Sequence, residues 1–322
     1  MSNRFAAAVI GLGKIGQEFD YDDQDGSQIM THAGGFLHHP GFDLVGGVDA
    51  DEKQRRCFVE KFKCPAFATI DDLYDHVQPS VVSIAVPTKH HYDVFQRVVF
   101  DRPLAVLCEK PIAGSVTDAE KMVDLAQHSR CSLLVNFIRR FEPGVLTLKQ
   151  AIDDGSIGDI YKGTVWYTKG FLNNGSHFLD LLRFLLGDVV CFRILNKGGK
   201  FQNDDPEPDV CIRIGKADIV FLAGRHDCFS MADIELVGTG GVVRYSDGGR
   251  VIDYQKVELD PVYKGYFNLT RNKFSIPTDI YRYQWHVLEG LYSHLTAGTP
   301  LASDGQSALA SLVTIEEICN QL

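Results

Sequence analysis

An apolar run, Ala6-Ala7-Ala8-Val9-Ile10, leads directly into Gly11-Leu12-Gly13-Lys14-Ile15-Gly16. A strand that breaks into G-x-G-x-x-G is the setting in which backbone N–H groups meet a dinucleotide pyrophosphate. Gly11 permits the tight turn, and Gly13 lets phosphates approach the backbone. Gly16 lets the next helix lie close to the sheet, while Lys14 and Ile15 sit inside the turn. This start constrains the fold more than any other segment, because it calls for a parallel sheet wound with helices.

The residues that follow keep that rhythm. Residues 42–48, 80–86, 104–108 and 133–137 read as buried strands, and 89–100 and 117–128 have helical spacing. From residue 158 the pattern changes. Residues 158–167, 210–214, 217–223, 233–237 and 241–245 read as strands separated by turn formers, Asp247-Gly248-Gly249 among them. One helix is expected over 176–186 and a last one from Ser303 or Asp304 toward Cys319. The polar stretch 198–209, with Pro206 and Pro208, reads as a surface loop. The expected class is α/β. A Rossmann-like domain spans 1–135. An α+β domain on a large, mostly antiparallel open sheet spans 136–322, with the last helix packing back on the first domain. The uncovered face of such a sheet is most simply covered by another subunit, which predicts a homodimer or homotetramer.

The chain has 322 residues, 45% of them hydrophobic and 23% charged, enough for substantial cores. Its net charge of −10 disfavours nucleic-acid binding. No segment has the length and apolarity of a membrane span. Met1-Ser2-Asn3-Arg4 leaves no room for a signal peptide before the first strand. The eight cysteines form no C-x-x-C pair, and Cys108, Cys191 and Cys211 are expected as buried thiols. A cytoplasmic protein is expected.

The second strand ends at Asp49, whose carboxylate would accept hydrogen bonds from adenosine ribose hydroxyls and repel a 2′-phosphate. NAD is favoured, with NADP possible given Lys53, Arg55 and Arg56 nearby. Asp49 lies more than thirty residues beyond Gly16, against about 20 in the usual spacing. The surplus, residues 17–30, resembles a fragment of a calcium loop without its terminal Glu, and reads as an acidic surface insertion rather than a metal site. No metal is expected, and His90 with His91 lacks a third ligand.

Cys108-Glu109-Lys110-Pro111 follows a strand at the sheet edge where ligands of open α/β sheets sit. Lys110 is either a proton carrier at a substrate oxygen or a surface lysine beside a turn. Asn173 and His177 bracket a helix start that Asn174 or Ser176 would cap. His177 is either an acid–base group or a packing residue on the Leu181–Phe184 face. Asn136, Arg139 and Arg140 follow another strand end and would hold substrate, or one arginine would form a structural bridge. Arg225 and His226 end a strand of the second domain and could also reach substrate.

Together these residues resemble the glucose–fructose oxidoreductase, inositol dehydrogenase and rhizopine-catabolism (Gfo/Idh/MocA) family. Glycines 11, 13 and 16, Asp49, Pro87 with His91, Glu109-Lys110-Pro111, Asn136 with Arg139-Arg140-Phe141, and residues 152–158 carry the likeness, which covers nearly the whole chain. The resemblance implies an NAD(P)-dependent dehydrogenase or reductase acting on a sugar, polyol or nucleotide-linked sugar. Lys110 and His177 would be catalytic with Asn173, and Glu109 would position Lys110 or the ribose. Pro87, Thr88 and His91 would lie at the cofactor, and Asn136, Arg139, Arg140, Asn173, His177 and Arg225 at the substrate. The family often has an aspartate where this chain has Asn173. That departure keeps a non-catalytic dinucleotide-binding protein in view, and redox-neutral sugar chemistry on tightly bound NAD is a further alternative.

Overall fold

A computed structural model of the chain describes residues 4–322 apart from Gln24 and the side chain of Asn203. Met1, Ser2 and Asn3 of the N-terminal reading and Gln24 of the 17–30 insertion lie outside the described residues. The chain divides into two compact units. One runs to Phe141 and resumes over Tyr281–Leu312; the other comprises Glu142–Ile280 and Val313–Leu322. The single boundary expected after residue 135 is therefore replaced. The first unit reclaims 281–312 because Val287, Leu288 and Leu291 complete one of its cores. Periodicity shows that a helix has an apolar face, not which sheet that face covers.

In the first unit, Phe5–Ile10 (β1), Phe42–Val48 (β2), Ala66–Phe67 (β3), Val81–Ile84 (β4), Ala105–Cys108 (β5) and Ser132–Val135 (β6) form a parallel sheet. Its order is β3-β2-β1-β4-β5-β6. Winding reverses between β1 and β4, which opens a crevice at their carboxyl ends. The helices are His32–His38 (α1), Glu52–Phe62 (α2), Ile70–His76 (α3), His91–Phe100 (α4) and Val116–Ser129 (α5). Ala8, Ile10, Val82, Ile84, Val106 and Cys108 pack with α4 and α5 on one face. Ala7, Val9, Val81 and Leu107 pack with α1 and α2 on the other. Each such Val or Leu contributes roughly 1.5–3 kcal/mol by burial, which favours strands that are apolar throughout.

The glycine turn does not open a long helix. Lys14–Glu18 makes one wide helical turn, closed by the Phe19 N–H on the Lys14 carbonyl at 3.0 Å. The insertion that follows is pinned rather than merely superficial. Buried Asp20 accepts the Met30 and Thr31 N–H groups at 2.7 and 2.8 Å and the Thr31 hydroxyl at 2.6 Å. Acidic composition concealed a carboxylate spent on backbone donors.

In the second unit, Pro143–Asp153 (α6) precedes Ile160–Tyr167 (β7) and Ser176–Leu186 (α7). Val189–Lys200 (β8), Pro206–Ile214 (β9), Ala217–Ala223 (β10), Ala232–Gly238 (β11), Gly241–Ser246 (β12), Val251–Leu259 (β13), Phe267–Leu269 (β14) and Phe274–Ile276 (β15) follow. The sheet order is β14-β13-β12-β11-β7-β10-β9-β8, with β15 on β13; only β7 and β10 pair in parallel. Tyr283–Ala297 (α8) belongs to the first unit. Gly305–Cys319 (α9) gives Ala308 and Leu312 to a core of the first unit, and Ile315 and Ile318 to the core of the second.

Three expectations change here. Cys191 is exposed and Cys211 half-buried, because both point to the sheet face that carries no helix. Residues 198–209 are mostly strand, and Asp205 and Glu207 are buried. Neither Asn174 nor Ser176 caps α7. Their side chains donate to the carbonyls of Thr168 and Leu172, at 2.8 and 2.7 Å, because a wide turn over Gly170–Gly175 runs straight into the helix.

Candidate functional site

A cavity of about 680 Å³ lies at the winding reversal of the parallel sheet. Gly11, Gly13, Lys14, Ile15, Asp49, Pro87 and His90 are among its walls. Gly11 has φ +95°, and a Cβ there would lie 2.6 Å from the Ala85 carbonyl carbon and oxygen. Gly16 is just as constrained: its Cβ would lie 2.1 Å from the Gly11 oxygen. Gly13 is different. No protein atom lies within 4 Å of a Cβ built on it, so packing does not demand a glycine there, whereas close approach of a phosphate would. The Asp49 oxygens accept the N–H groups of Leu12 and Asp51, each at 2.8 Å. Each oxygen keeps a further lone pair. Arg55 is engaged with the Asp49 and Ala50 carbonyls, both at 2.8 Å. The residues present thus fit a dinucleotide.

Thr88 and His91 are not among the cavity walls. Thr88 helps form the short turn before α4. His91 is buried, with Nε2 2.9 Å from the Val86 carbonyl oxygen and Nδ1 2.9 Å from that of Pro111. Burial pushes its pKa below the usual imidazole value, against the pull of those carbonyls. His91 therefore ties the loop after β4 to the loop after β5, and its neighbour His90 faces the cavity. A Pro-x-x-x-His spacing does not distinguish these roles, because adjacent helical residues point to different faces.

Glu109 and Lys110 follow β5, whose pairing with β4 ends as the Glu109 N–H reaches the Ile84 carbonyl at 2.9 Å. The Lys110–Pro111 peptide is cis. The Glu109 side chain is 15% exposed. Its Oε1 accepts from His32 Nε2 at 2.9 Å and Asn136 Nδ2 at 2.5 Å, and its Oε2 accepts the Lys110 N–H at 3.2 Å. Burial would raise its pKa, but the His32 and Asn136 bonds and the Lys110 charge hold it below the usual glutamate value.

Asn136 and Arg140, expected at the substrate, are buried and otherwise engaged. Asn136 also donates to Gln284 Oε1 at 3.1 Å, and Arg140 donates to the Ala302 carbonyl at 2.9 Å. A strand end sets where such side chains begin, while the returning 281–312 segment decides what they meet. Arg139 is half-buried. Sequence reasoning missed His32, Ser83 and Gln284. Ser83 left a signal, a hydroxyl inside an apolar strand covered on both faces, which must find a partner.

In the second unit, Asn173 is exposed and His177 half-buried. The Asn173 side chain donates to the Lys169 carbonyl at 3.1 Å, and its N–H reaches Asp205 Oδ2 at 2.9 Å. Burial raises the Asp205 pKa against its backbone donors. Arg225 is 78% exposed and paired with Asp227 at 2.5 Å. Its neighbour His226 faces the nearly buried Glu207 at 3.5 Å. Among the described residues, no group of three or more His, Cys, Asp or Glu is placed to hold a metal ion, and no helix is long and apolar enough to cross a membrane.

Residues 5–137 match the family described as "Oxidoreductase family, NAD-binding Rossmann fold". The chain is similar to inositol 2-dehydrogenase of Rhizobium meliloti (strain 1021), 28% identical over 203 residues, or 58% of this chain and 56% of that protein. It is similar to 2,7-anhydro-N-acetylneuraminate hydratase of Mediterraneibacter gnavus, 26% identical over 200 residues, or 56% of this chain and 49% of that one. The alignments thus span about half to three fifths of the length of these curated relatives. The WlbA dehydrogenase of Bordetella pertussis, solved with NADH and UDP-GlcNAcA, superposes with TM-score 0.78 at 18% identity, over 99% of this chain and 96% of that one. At that identity the likeness is one of fold.

Proposed function

We propose that this chain, whose residues 5–137 match the Gfo/Idh/MocA oxidoreductase family, transfers hydride between a nicotinamide dinucleotide and a carbon of a sugar, polyol or nucleotide-linked sugar. The carrying observation is the convergence at one sheet edge: the glycine turn follows β1, Asp49 follows β2 and Lys110 follows β5. When bound, the dinucleotide supplies the carbon that gives or takes hydride. Gly11, Gly13, Lys14, Ile15 and Pro87 would hold it, with Asp49 at the adenosine ribose, which favours NAD over NADP.

Lys110 is the proton carrier in this reading. Its ammonium donates to the substrate oxygen as a carbonyl is reduced, and its amine accepts that proton in the reverse direction. Glu109 holds the backbone at Lys110 and supplies a compensating negative charge. In the second unit, His177 is the further candidate for acid–base work, and Asn173 for a hydrogen bond to a hydroxyl. The same reading has the protein cytoplasmic and assembled as a homodimer or homotetramer.

The test is NADH absorbance across a panel of polyols, free sugars and nucleotide-linked sugars. Lys110→Met should lower turnover on the order of 10²–10⁴-fold while NADH affinity stays within a few-fold. Unchanged turnover overturns the role. A second reading is redox-neutral chemistry through transient oxidation. It is favoured by the amide at 173 in place of the family's aspartate and by a relative named as a hydratase. Product formed with retained NAD and no net change in NADH would select it.

A further inference from the structure

Behind Glu109 lies a closed ring of buried polar side chains, drawn from four separate parts of the first unit. His32 in α1, Ser83 in β4, Asn136 after β6 and Gln284 in α8 are each 0–1% exposed. Starting at Glu109 Oε1, Asn136 Nδ2 lies at 2.5 Å and also reaches Gln284 Oε1 at 3.1 Å. Gln284 Nε2 lies 3.2 Å from His32 Nδ1, and His32 Nε2 returns to Glu109 Oε1 at 2.9 Å. Ser83 Oγ stands 2.9 Å from the same Nδ1.

The direction of every proton in this ring follows from one charge. An ionised carboxylate only accepts, so Asn136 must turn its amide nitrogen toward it. The second N–H of that nitrogen then takes the Gln284 oxygen, which turns the Gln284 nitrogen toward His32. Nδ1 therefore accepts, its one lone pair shared between Gln284 Nε2 and the nearer Ser83 hydroxyl, and the proton sits on Nε2, aimed at Glu109. Were Glu109 protonated, its O–H would face two donors on one oxygen and the Lys110 N–H on the other. Only an anion at Glu109 accepts all three of these N–H groups. The low-dielectric surroundings make each such bond matter more than it would in water.

We propose that His32 and Gln284 are positioning residues for proton transfer at Lys110, acting through Glu109. This rests on the assignment of Lys110 above. The ring keeps Glu109 charged and aimed, so the residue that carries the proton sits beside a fixed anion whatever occupies the cavity. The titratable groups near Glu109 are His32 from α1, Cys108 at the end of β5, Lys110, His91 from α4 and Tyr283 at the start of α8.

The test reads Glu109 itself. Infrared titration of the full chain follows the protonated-carboxyl band, each variant referenced to the same variant carrying Glu109→Gln. In the wild type that band should appear only in the acid range. In His32→Leu its midpoint should rise by about two pH units, and in Gln284→Leu by about one. His32→Gln, which keeps an N–H donor, should titrate near the wild type. Because Gln284→Leu and Ser83→Ala read the same band, the question stays answerable if His32→Leu does not fold.

In parallel, the acid limb of kcat should move to higher pH with the infrared midpoint, with kcat reduced roughly tenfold and KM for NADH held. Midpoints unmoved in the variants that fold overturn the proposal. A rise in KM without a shift of the acid limb also overturns it, by leaving only a structural role. An infrared shift together with full activity in Lys110→Met would instead keep the ring's hold on Glu109 and reject the reading of Lys110.

Discussion

In β5 all four residues are buried, whereas along β7 burial alternates, Val165 and Tyr167 inside and Tyr161 and Trp166 outside. The first sheet is sandwiched between helices, so its faces offer no room for ligand. Chemistry there is confined to the carboxyl edge, where backbone N–H groups and the loops after β1, β2, β4 and β5 converge. The second sheet leaves one face uncovered, with a cavity of about 620 Å³ over residues such as Lys162, Cys191, Arg213 and Glu235. The polar groups of that face are spread over several strands. The contrast teaches that a parallel sheet concentrates function at its edge, while a one-sided antiparallel sheet spreads it across a face.

The sharpest way to break the comparison is at the edge itself. Gly11→Ala combines φ +95° with a 2.6 Å contact to backbone, and should cost more than about 4 kcal/mol. A folded variant of near-normal stability in urea titration would mean the turn is not built as described. Next come the cores. Val106→Ala and Leu107→Ala face opposite sides of β5, and both should cost about 2–5 kcal/mol. In the second sheet the outcomes should divide at adjacent positions of β10: Phe221→Ala should cost about 3–5 kcal/mol, and Val220→Ala, on the open face, should cost less than about 1 kcal/mol. Equal penalties at Phe221 and Val220 would show that the open face is not open.

A smaller and more selective effect is expected at Gly13. Gly13→Ala should leave the unfolding midpoint in place and weaken NADH binding about 10–100-fold, read by fluorescence titration. Undiminished binding would remove the phosphate from that turn. The smallest effect is the pH dependence set by His91. Its folded pKa is depressed, so the unfolded chain binds more protons. The stability it contributes is present above about pH 6.5 and declines as pH falls through that value. His91→Leu should flatten the slope of unfolding free energy between pH 7.5 and 5.5, and an unchanged slope would place the titration elsewhere.

Much of this was legible before any coordinates. The strand–glycine–strand order predicted the parallel sheet, and strand ends marked Asp49 and Lys110, because periodicity and turn chemistry are local properties. The loop read over 198–209 became mostly strand because its two ends pair with each other, Gly199 with Glu207 and Lys200 with Pro206, a pairing that polar composition and two prolines do not reveal. Arg225 and His226, adjacent at one strand end, face different partners, Asp227 and the nearly buried Glu207, since one position along the chain turns a side chain to another side.

What the amino-acid order alone determined is the alternation of strands and helices in the first domain and the edge on which the glycines, Asp49 and Lys110 fall. Tertiary structure alone decided that His32, Ser83, Asn136 and Gln284 close on Glu109, and that residues 281–312 return to the first unit. The physical reason is range. Backbone preferences and apolar spacing act within a few residues, whereas a buried polar atom takes whatever partner folding delivers, here as far as 252 positions away between His32 and Gln284.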